Sequence, residues 1–256
     1  MEYIASLSYG KDSLHMLEVI HQSGLPLDRI IHAEIMATAT MSANLPPIVE
    51  FKDKADRIIK QRYGIEVERV RAKVSYNDVF YTVKQRGKRR GEIYGFPWIL
   101  GSWCIPMLKT SVLDKGNRGA IKYIGYTDDE KSPARQKKIR EYNDGTNTGK
   151  LRYPLVDYNI TEQNCFDWCE NNDLLSPTYK TSIRDGCWFC HKQPLQQLFY
   201  LYTEYPERWQ MLLAWEKDTR GSFTTSKVTI EQLTERFRQG FVYKKDMKNA
   251  NQLKLF

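Results

Sequence analysis

Tyr3-Ile4-Ala5-Ser6-Leu7-Ser8-Tyr9-Gly10-Lys11-Asp12-Ser13-Leu14 is the stretch whose reading decides the fold. Residues 2–7 form a short apolar run that reads as a buried strand. A glycine-containing turn follows at once, and over residues 13–20 Leu14, Leu17, Val19 and Ile20 recur at helical spacing. A strand that turns sharply into a helix is a ready anion site, because helix-start N–H groups point at the ligand and the dipole favours negative charge. Gly10 admits a close backbone approach, Lys11 brings a point charge, and Ser8 and Ser13 bring hydroxyl donors. Asp12 belongs beside phosphates only if it holds Mg2+ or the nucleophile. By spacing alone, the same residues also fit an ordinary serine-capped helix start.

Outward from this loop, strands and helices alternate. Residues 29–35 read as a second strand, and Pro46-Pro47 opens a helix that Gly64 stops. A third strand is expected at 66–70, a helix at 77–84, a fourth strand at 122–126 and a fifth at 152–158. That order argues for an α/β chain with a parallel sheet covered by helices on both faces. Beyond Thr161, which is placed to cap a helix over 162–172, the pattern is helical, with further helices at 194–205 and 206–217. Residues 1–160 therefore read as the α/β domain and 161–243 as a helical C-terminal segment. Residues 244–256 read as a polar, mobile tail.

Composition agrees. A chain of 256 residues, 41% hydrophobic, can bury a core of its own. No run approaches the roughly 18–20 apolar residues of a membrane span. Met1-Glu2-Tyr3-Ile4-Ala5-Ser6 lacks the basic start and long apolar run of a signal peptide, so a cytoplasmic location is expected. Five cysteines, an odd number, suit a reducing compartment better than a disulfide framework. The net charge of +8 fits a polyanionic partner such as a nucleotide, DNA or RNA, and equally fits many basic enzymes.

Ser8-x-Gly10-x-Asp12-Ser13 after the first strand resembles the PP-loop of the adenine nucleotide α-hydrolase-like superfamily. That group includes ATP pyrophosphatases, tRNA thiolation enzymes and the phosphoadenosine phosphosulfate (PAPS) reductase family. The flanking residues resemble the PAPS reductase-like branch most. Three further stretches carry the likeness: Tyr123-Ile124-Gly125-Tyr126 followed by Asp129-Glu130 and Arg135, then Tyr153-Pro154-Leu155-Val156-Asp157-Tyr158, and Trp103-Cys104 with Lys109 behind it. The resemblance implies a Rossmann-like (HUP-type) sheet. It implies an adenine nucleotide, ATP or PAPS/APS (adenylyl sulfate), held with Mg2+ by Ser8, Tyr9, Gly10, Lys11, Asp12, Ser13, Gly125, Glu130 and Arg135, with Lys11 and Asp12 in catalytic roles. Tyr9 stands where the family has its first glycine and is expected to narrow the loop.

Cys187-Trp188-Phe189-Cys190 has the spacing that lets two thiolates share one metal, though two buried structural cysteines fit it as well. The resemblance pairs such a motif with the mid-chain Cys104. Three thiolates with one open position would suit a [4Fe–4S] cluster, or Zn2+ with a fourth ligand from His191, Cys165 or Cys169. Cys165 and Cys169 lie four apart on one helix face and read as packing residues. Sulfonucleotide reductases of the family carry a nucleophilic cysteine in a C-terminal tail, and no cysteine follows Cys190 here.

Lys84-Gln85-Arg86-Gly87-Lys88-Arg89-Arg90 places five cations in seven residues, with Tyr94, Phe96, Trp98 and Trp103 after them. Cations position phosphates and aromatics stack on unpaired bases, so DNA or tRNA is one reading. A solvated loop with buried aromatics, or a site for the substrate's own phosphate, are the others. The last five residues, Gln252-Leu253-Lys254-Leu255-Phe256, resemble the bacterial sliding-clamp-binding pentapeptide, and also fit a tail packing on its own domain. The expected function is adenylation of a substrate for sulfur transfer, with nucleic acid as one substrate. The alternatives are a PAPS/APS reductase and a non-catalytic nucleotide-binding module tethered to the clamp.

Overall fold

The strand expected first is β1, Tyr3–Ser6, and it lies at the centre of a sheet in which all five strands run parallel. A computed structural model describes residues 1–97, 102–146, 149–180, 186–224 and 228–240. The strand order is β3-β2-β1-β4-β5, with β2 at Arg29–Glu34, β3 at Val67–Arg71, β4 at Ile121–Tyr123 and β5 at Leu151–Arg152. This is the Rossmann-like α/β fold expected, followed by helices. Trp98 and the pentapeptide Gln252 to Phe256 lie outside the described residues.

Two units make up the chain, each drawn from three stretches. Unit 1 is Met1–Glu34, Pro46–Ala72 and Lys109–Pro177, and unit 2 is Ile35–Leu45, Lys73–Leu108 and Thr178–Phe256. Unit 1 holds the sheet with α1 (Lys11–Gln22), α2 (Pro46–Tyr63), α4 (Ser111–Asp114), α5 (Pro133–Asn143), α6 (Pro154–Asp157) and α7 (Glu162–Asn171). Strand side chains alternate between faces. Ala5 and its register partner Ile30 accordingly join Leu14, Leu17, Phe51 and Cys169 in one apolar cluster, while Ile4 and Ile31 join Ala120 in another. Unit 2 contains α3 (Tyr76–Phe80), α8 (Leu195–Glu204), α9 (Pro206–Asp218) and α10 (Ile230–Arg238). Its core is aromatic: Tyr76, Phe80, Trp103, Trp188, Phe189 and Trp215 are all buried. Each buried indole N–H finds an acceptor, Trp103 on Gly95 O, Trp188 on Ser42 O and Trp215 on Asn77 Oδ1.

Three local expectations are corrected. The fifth strand does not run to 158: β5 stops at Arg152 and Pro154 opens the helical turn α6. Proline has no N–H for a ladder but suits a helix start, which is why the chain changes state there. The helix expected over 77–84 is only α3, capped reciprocally by Ser75 and Asp78, and the chain then pairs Val83 with Ile93. Helix α1 begins at Lys11, two residues before the apolar spacing announces it. Thr161 does cap α7, through a capping box with Asn164. No described helix is long and apolar enough to cross a membrane.

Candidate functional site

In an open parallel sheet, ligands bind at the carboxyl ends of the strands where the order reverses. Here β1 leads to β2 on one side, and β4 returns on the other, so the reversal lies between β1 and β4. The loops leaving those two strands are residues 7–10 and 124–132, the segments that the sequence singles out. Gly125 shows how closely they meet. A Cβ built on it would stand 3.1 Å from the carbonyl carbon and oxygen of Asp12 and from Ser13 Cα. All three are backbone atoms, so any larger residue would press the second loop away from the first turn of α1 by a few tenths of an ångström.

That turn has no side-chain cap, although Gly10 sits at the N-cap with extended backbone. The first amides of a helix have no intrahelical acceptor. The serine hydroxyls shape the loop itself: Ser13 Oγ donates to Gly10 O, accepts from Ser8 N at 3.1 Å and lies 2.9 Å from Ser8 Oγ. The serine-capped reading therefore does not hold, because these hydroxyls brace the turn rather than cap α1. Lys11 is buried, and its ammonium donates to Asp12 and Glu162 at 2.9 Å each. Burial alone would lower its pKa, but the two carboxylates outweigh burial and raise it. Asp12 is raised by burial first, against the pull of Lys11, with Glu162 and Glu130 pushing the same way as burial. Two carboxylates thus clasp one lysine at the head of α1, and Glu130 acts on Asp12 beside them. Glu162 is the member that sequence reasoning missed; its place behind Thr161 marked it only as a first-turn acid.

Glu130 and Arg135 form an ion pair at 2.9 Å, and the guanidinium also lies over the Tyr126 ring, 5.3 Å from its centroid. Tyr126 in turn stacks on Tyr153. The loop is pinned at its far end where Asp129 Oδ1 accepts from Glu162 N. Ser8 and Gly10, and Gly125 and Glu130, therefore lie on two loops that meet at Lys11, Asp12 and Ser13 in the first turn of α1, and Arg135 joins them from α5 through Glu130. A cavity of about 220 Å3, lined in part by Ser6, Lys122, Tyr126 and Tyr153, opens in the same unit.

Tyr9 departs from expectation. Its ring does not narrow the loop, because it is 1% exposed and packed inward against His32, 4.7 Å between centroids. The hydroxyl donates to Asp56 at 2.5 Å and accepts from Arg69 Nε at 3.1 Å. Beside it, His32 Nδ1 lies 2.9 Å from Leu7 O, which makes that nitrogen the proton donor. Its Nε2 then accepts from the buried Lys52, which also pairs with Glu34 at 2.9 Å. Burial would raise Glu34, but its polar neighbours, among them the Lys52 ammonium, override burial and hold the carboxyl at about 2.

The cysteines fall in two groups. Cys165 and Cys169 are fully buried in the apolar cluster of unit 1, and Cys169 Sγ donates to Lys11 O. They pack, as the spacing suggests. Cys104, Cys187 and Cys190 belong to unit 2 and are half-buried. In Cys187-Trp188-Phe189-Cys190 the two aromatics are driven into the core, while the turn is closed by Cys190 N donating to Cys187 O at 3.0 Å. Among the described residues no group of three or more His, Cys, Asp and Glu is gathered closely enough to hold a metal ion. One atom nevertheless singles out the three thiols together. The Tyr76 hydroxyl is buried with no hydrogen-bond partner among the described residues, and its pKa is driven far up by burial and then by Cys104, Cys187 and Cys190. A buried hydroxyl without a partner is costly, and all three thiols act on it electrostatically, but they are not drawn together into a ready-made metal site.

Five cations remain on the hairpin bridged by Val83 and Ile93. Lys84 pairs with Glu92, while Arg86, Lys88, Arg89 and Arg90 are exposed. Phe96 and Trp103 are buried, so the stacking platform expected from them is absent and they serve the core.

Fold and loops together define a Rossmann-like α/β protein that presents an uncapped helix start at the reversal point of its sheet. No family model matches the chain, and no curated protein matches it. Among solved structures, the U34-tRNA thiolase NcsA from Methanococcus maripaludis, with its [4Fe-4S] cluster, aligns over 93% of this chain and 72% of that one. The identity is 16% and the TM-score 0.41. So distant a likeness assigns neither family nor activity.

Proposed function

We propose that unit 1 binds ATP between the loop of Ser8 to Ser13 and the loop of Gly125 to Glu130, and transfers its adenylyl group to a substrate oxygen. The crossing at Gly125 carries this reading, because it sets the second loop against the uncapped start of α1 that carries Lys11. A substrate oxygen attacks the α-phosphorus, the bond from that phosphorus to the bridging oxygen breaks, and pyrophosphate leaves with the electron pair. The helix-start amides and Lys11 stabilise the charge that develops on the phosphates. Asp12 and Glu162, which clasp Lys11, would be the carboxylates to hold the Mg2+ that accompanies a nucleoside triphosphate. Arg135, held by Glu130 and Tyr126, supplies a second cation for phosphate.

Cys104, Cys187 and Cys190 would hold an iron–sulfur cluster or Zn2+ beside Tyr76. Such a group, when bound, would supply the thiophilic chemistry of a sulfur transfer. Sulfide-level sulfur then attacks the adenylated carbon: the C–S bond forms as the C–O bond breaks, and AMP leaves with the electron pair. The exposed cations at 86–90 suit a nucleic-acid substrate through its phosphates, without base-specific contacts.

Exchange of labelled pyrophosphate into ATP, with and without DNA or tRNA, tests the adenylation step. Exchange that nucleic acid stimulates is the expected result. No exchange and no AMP under any condition overturns the reading, and sulfite released from PAPS or APS with thioredoxin as reductant would replace it.

A further inference from the structure

Tyr9 has a left-handed backbone, φ +59°, one residue before the N-cap of α1. For a residue with a Cβ that conformation is strained, and glycine adopts it without strain. Something must hold the bend. The ring is buried, with the cations of Arg69 and Lys52 at 5.6 and 5.4 Å from its centroid, and its hydroxyl is fixed from two sides by Asp56 on α2 and Arg69 on β3. Arg69 is itself tied to α2 by ion pairs with Asp53 and Asp56. The loop backbone is therefore bolted to a neighbouring helix and strand through one phenol.

We propose that Tyr9 is a positioning residue that holds the phosphate loop in its binding conformation before any ligand arrives. This rests on the reading of the loop as a nucleotide site. A glycine would bend here freely and leave the loop to be ordered by the ligand. The tethered tyrosine meets that ordering cost at folding, so phosphate binds to amides already aligned. Its effect should reach ligands that carry phosphate and spare the nucleoside.

The test compares the wild-type chain with Tyr9→Phe, which keeps the ring and loses the hydroxyl, and with Asp56→Ala, which keeps the tyrosine and loses its acceptor. Amide hydrogen exchange over residues 6–16 is followed in ligand-free protein, and ATP and adenosine are titrated by calorimetry. Both variants should exchange the loop amides faster and bind ATP about tenfold more weakly, the equivalent of one charge-assisted hydrogen bond, with adenosine affinity unchanged. Loop exchange that stays at the wild-type rate in a folded variant overturns the proposal. So does an equal loss for both ligands, or failure of both variants to fold, since Tyr9 would then be a core residue only. If wild-type protein binds neither ligand, the nucleotide reading falls, and the exchange measurement alone decides the role of Tyr9.

Discussion

Replacing Gly125 with alanine adds one methyl carbon where the chain has no room for it. The new Cβ would stand 3.1 Å from Asp12 C, Asp12 O and Ser13 Cα, inside the 3.4–4 Å of ordinary van der Waals approach. None of the three is a flexible side-chain end, so the loops must part by a few tenths of an ångström. Overpacking of this kind costs about 1–3 kcal/mol. If ATP requires the closed crossing, the same energy appears as an affinity loss of about 5- to 150-fold. Gly119→Ala is the matched control: nothing lies within 4 Å of its Cβ and its φ is not positive. It should leave affinity unchanged and stabilise the fold by at most about 1 kcal/mol through the unfolded chain. Calorimetric titration with ATP and thermal melts of both variants give the two numbers. Wild-type affinity in Gly125→Ala, or an equal loss in Gly119→Ala, would refute the reasoning.

Serine in place of Cys104, Cys187 or Cys190 should each remove bound metal, read as iron or zinc content and, for iron, as absorbance at about 400 nm after anaerobic purification. Serine at Cys165 or Cys169 should leave that content intact and lower the melting temperature. Acid stability should report Glu34: the folded carboxyl sits at about 2 against an ordinary 4.5, so the unfolded chain binds more protons between those values. The stability it contributes is complete above that upper value and lost as pH falls toward the lower one. Lys52→Met should move the onset of unfolding to higher pH in urea melts. Changing Arg86, Lys88, Arg89 and Arg90 together to glutamine should weaken nucleic-acid binding evenly across sequences. The slope of log affinity against log salt should flatten by about 0.7–0.9 for each phosphate no longer neutralised. An unchanged slope would place the nucleic acid elsewhere.

Sheet and loop were legible because they are local and periodic, whereas the strand order that sets the reversal point was not. The run before Ser8 has nowhere to go but a buried strand, and Gly10 with Ser13 announces a turn into a helix. Short elements were less so: α5 carries no buried residue, so it has no apolar stripe to read, and β5 is two residues before a proline. Within the site, Gly125, Glu130 and Arg135 were found through resemblance, whereas Glu162 and Asp56 were not. Both are acids on helices that look solvated until the fold brings Lys11 and Tyr9 to them. Tyr76 had no sequence signal at all, since its meaning depends on three cysteines distant along the chain.

The interleaving of the two units has a consequence for how the protein is made. The chain passes from one unit to the other at residues 34, 45, 72, 108 and 177. At about 5–20 residues per second, a ribosome needs roughly 10–35 seconds to deliver the last stretch of unit 1. Until then β1 lacks its β4 neighbour, and the segments that belong to unit 2 wait without their C-terminal helices. Nor does any single cut release the cysteine-bearing unit whole: a chain started at Thr178 would carry Cys187 and Cys190 but neither Cys104 nor Tyr76. For this protein, cutting the gene into domains is the wrong tool, and function must be dissected by point substitutions in the intact chain.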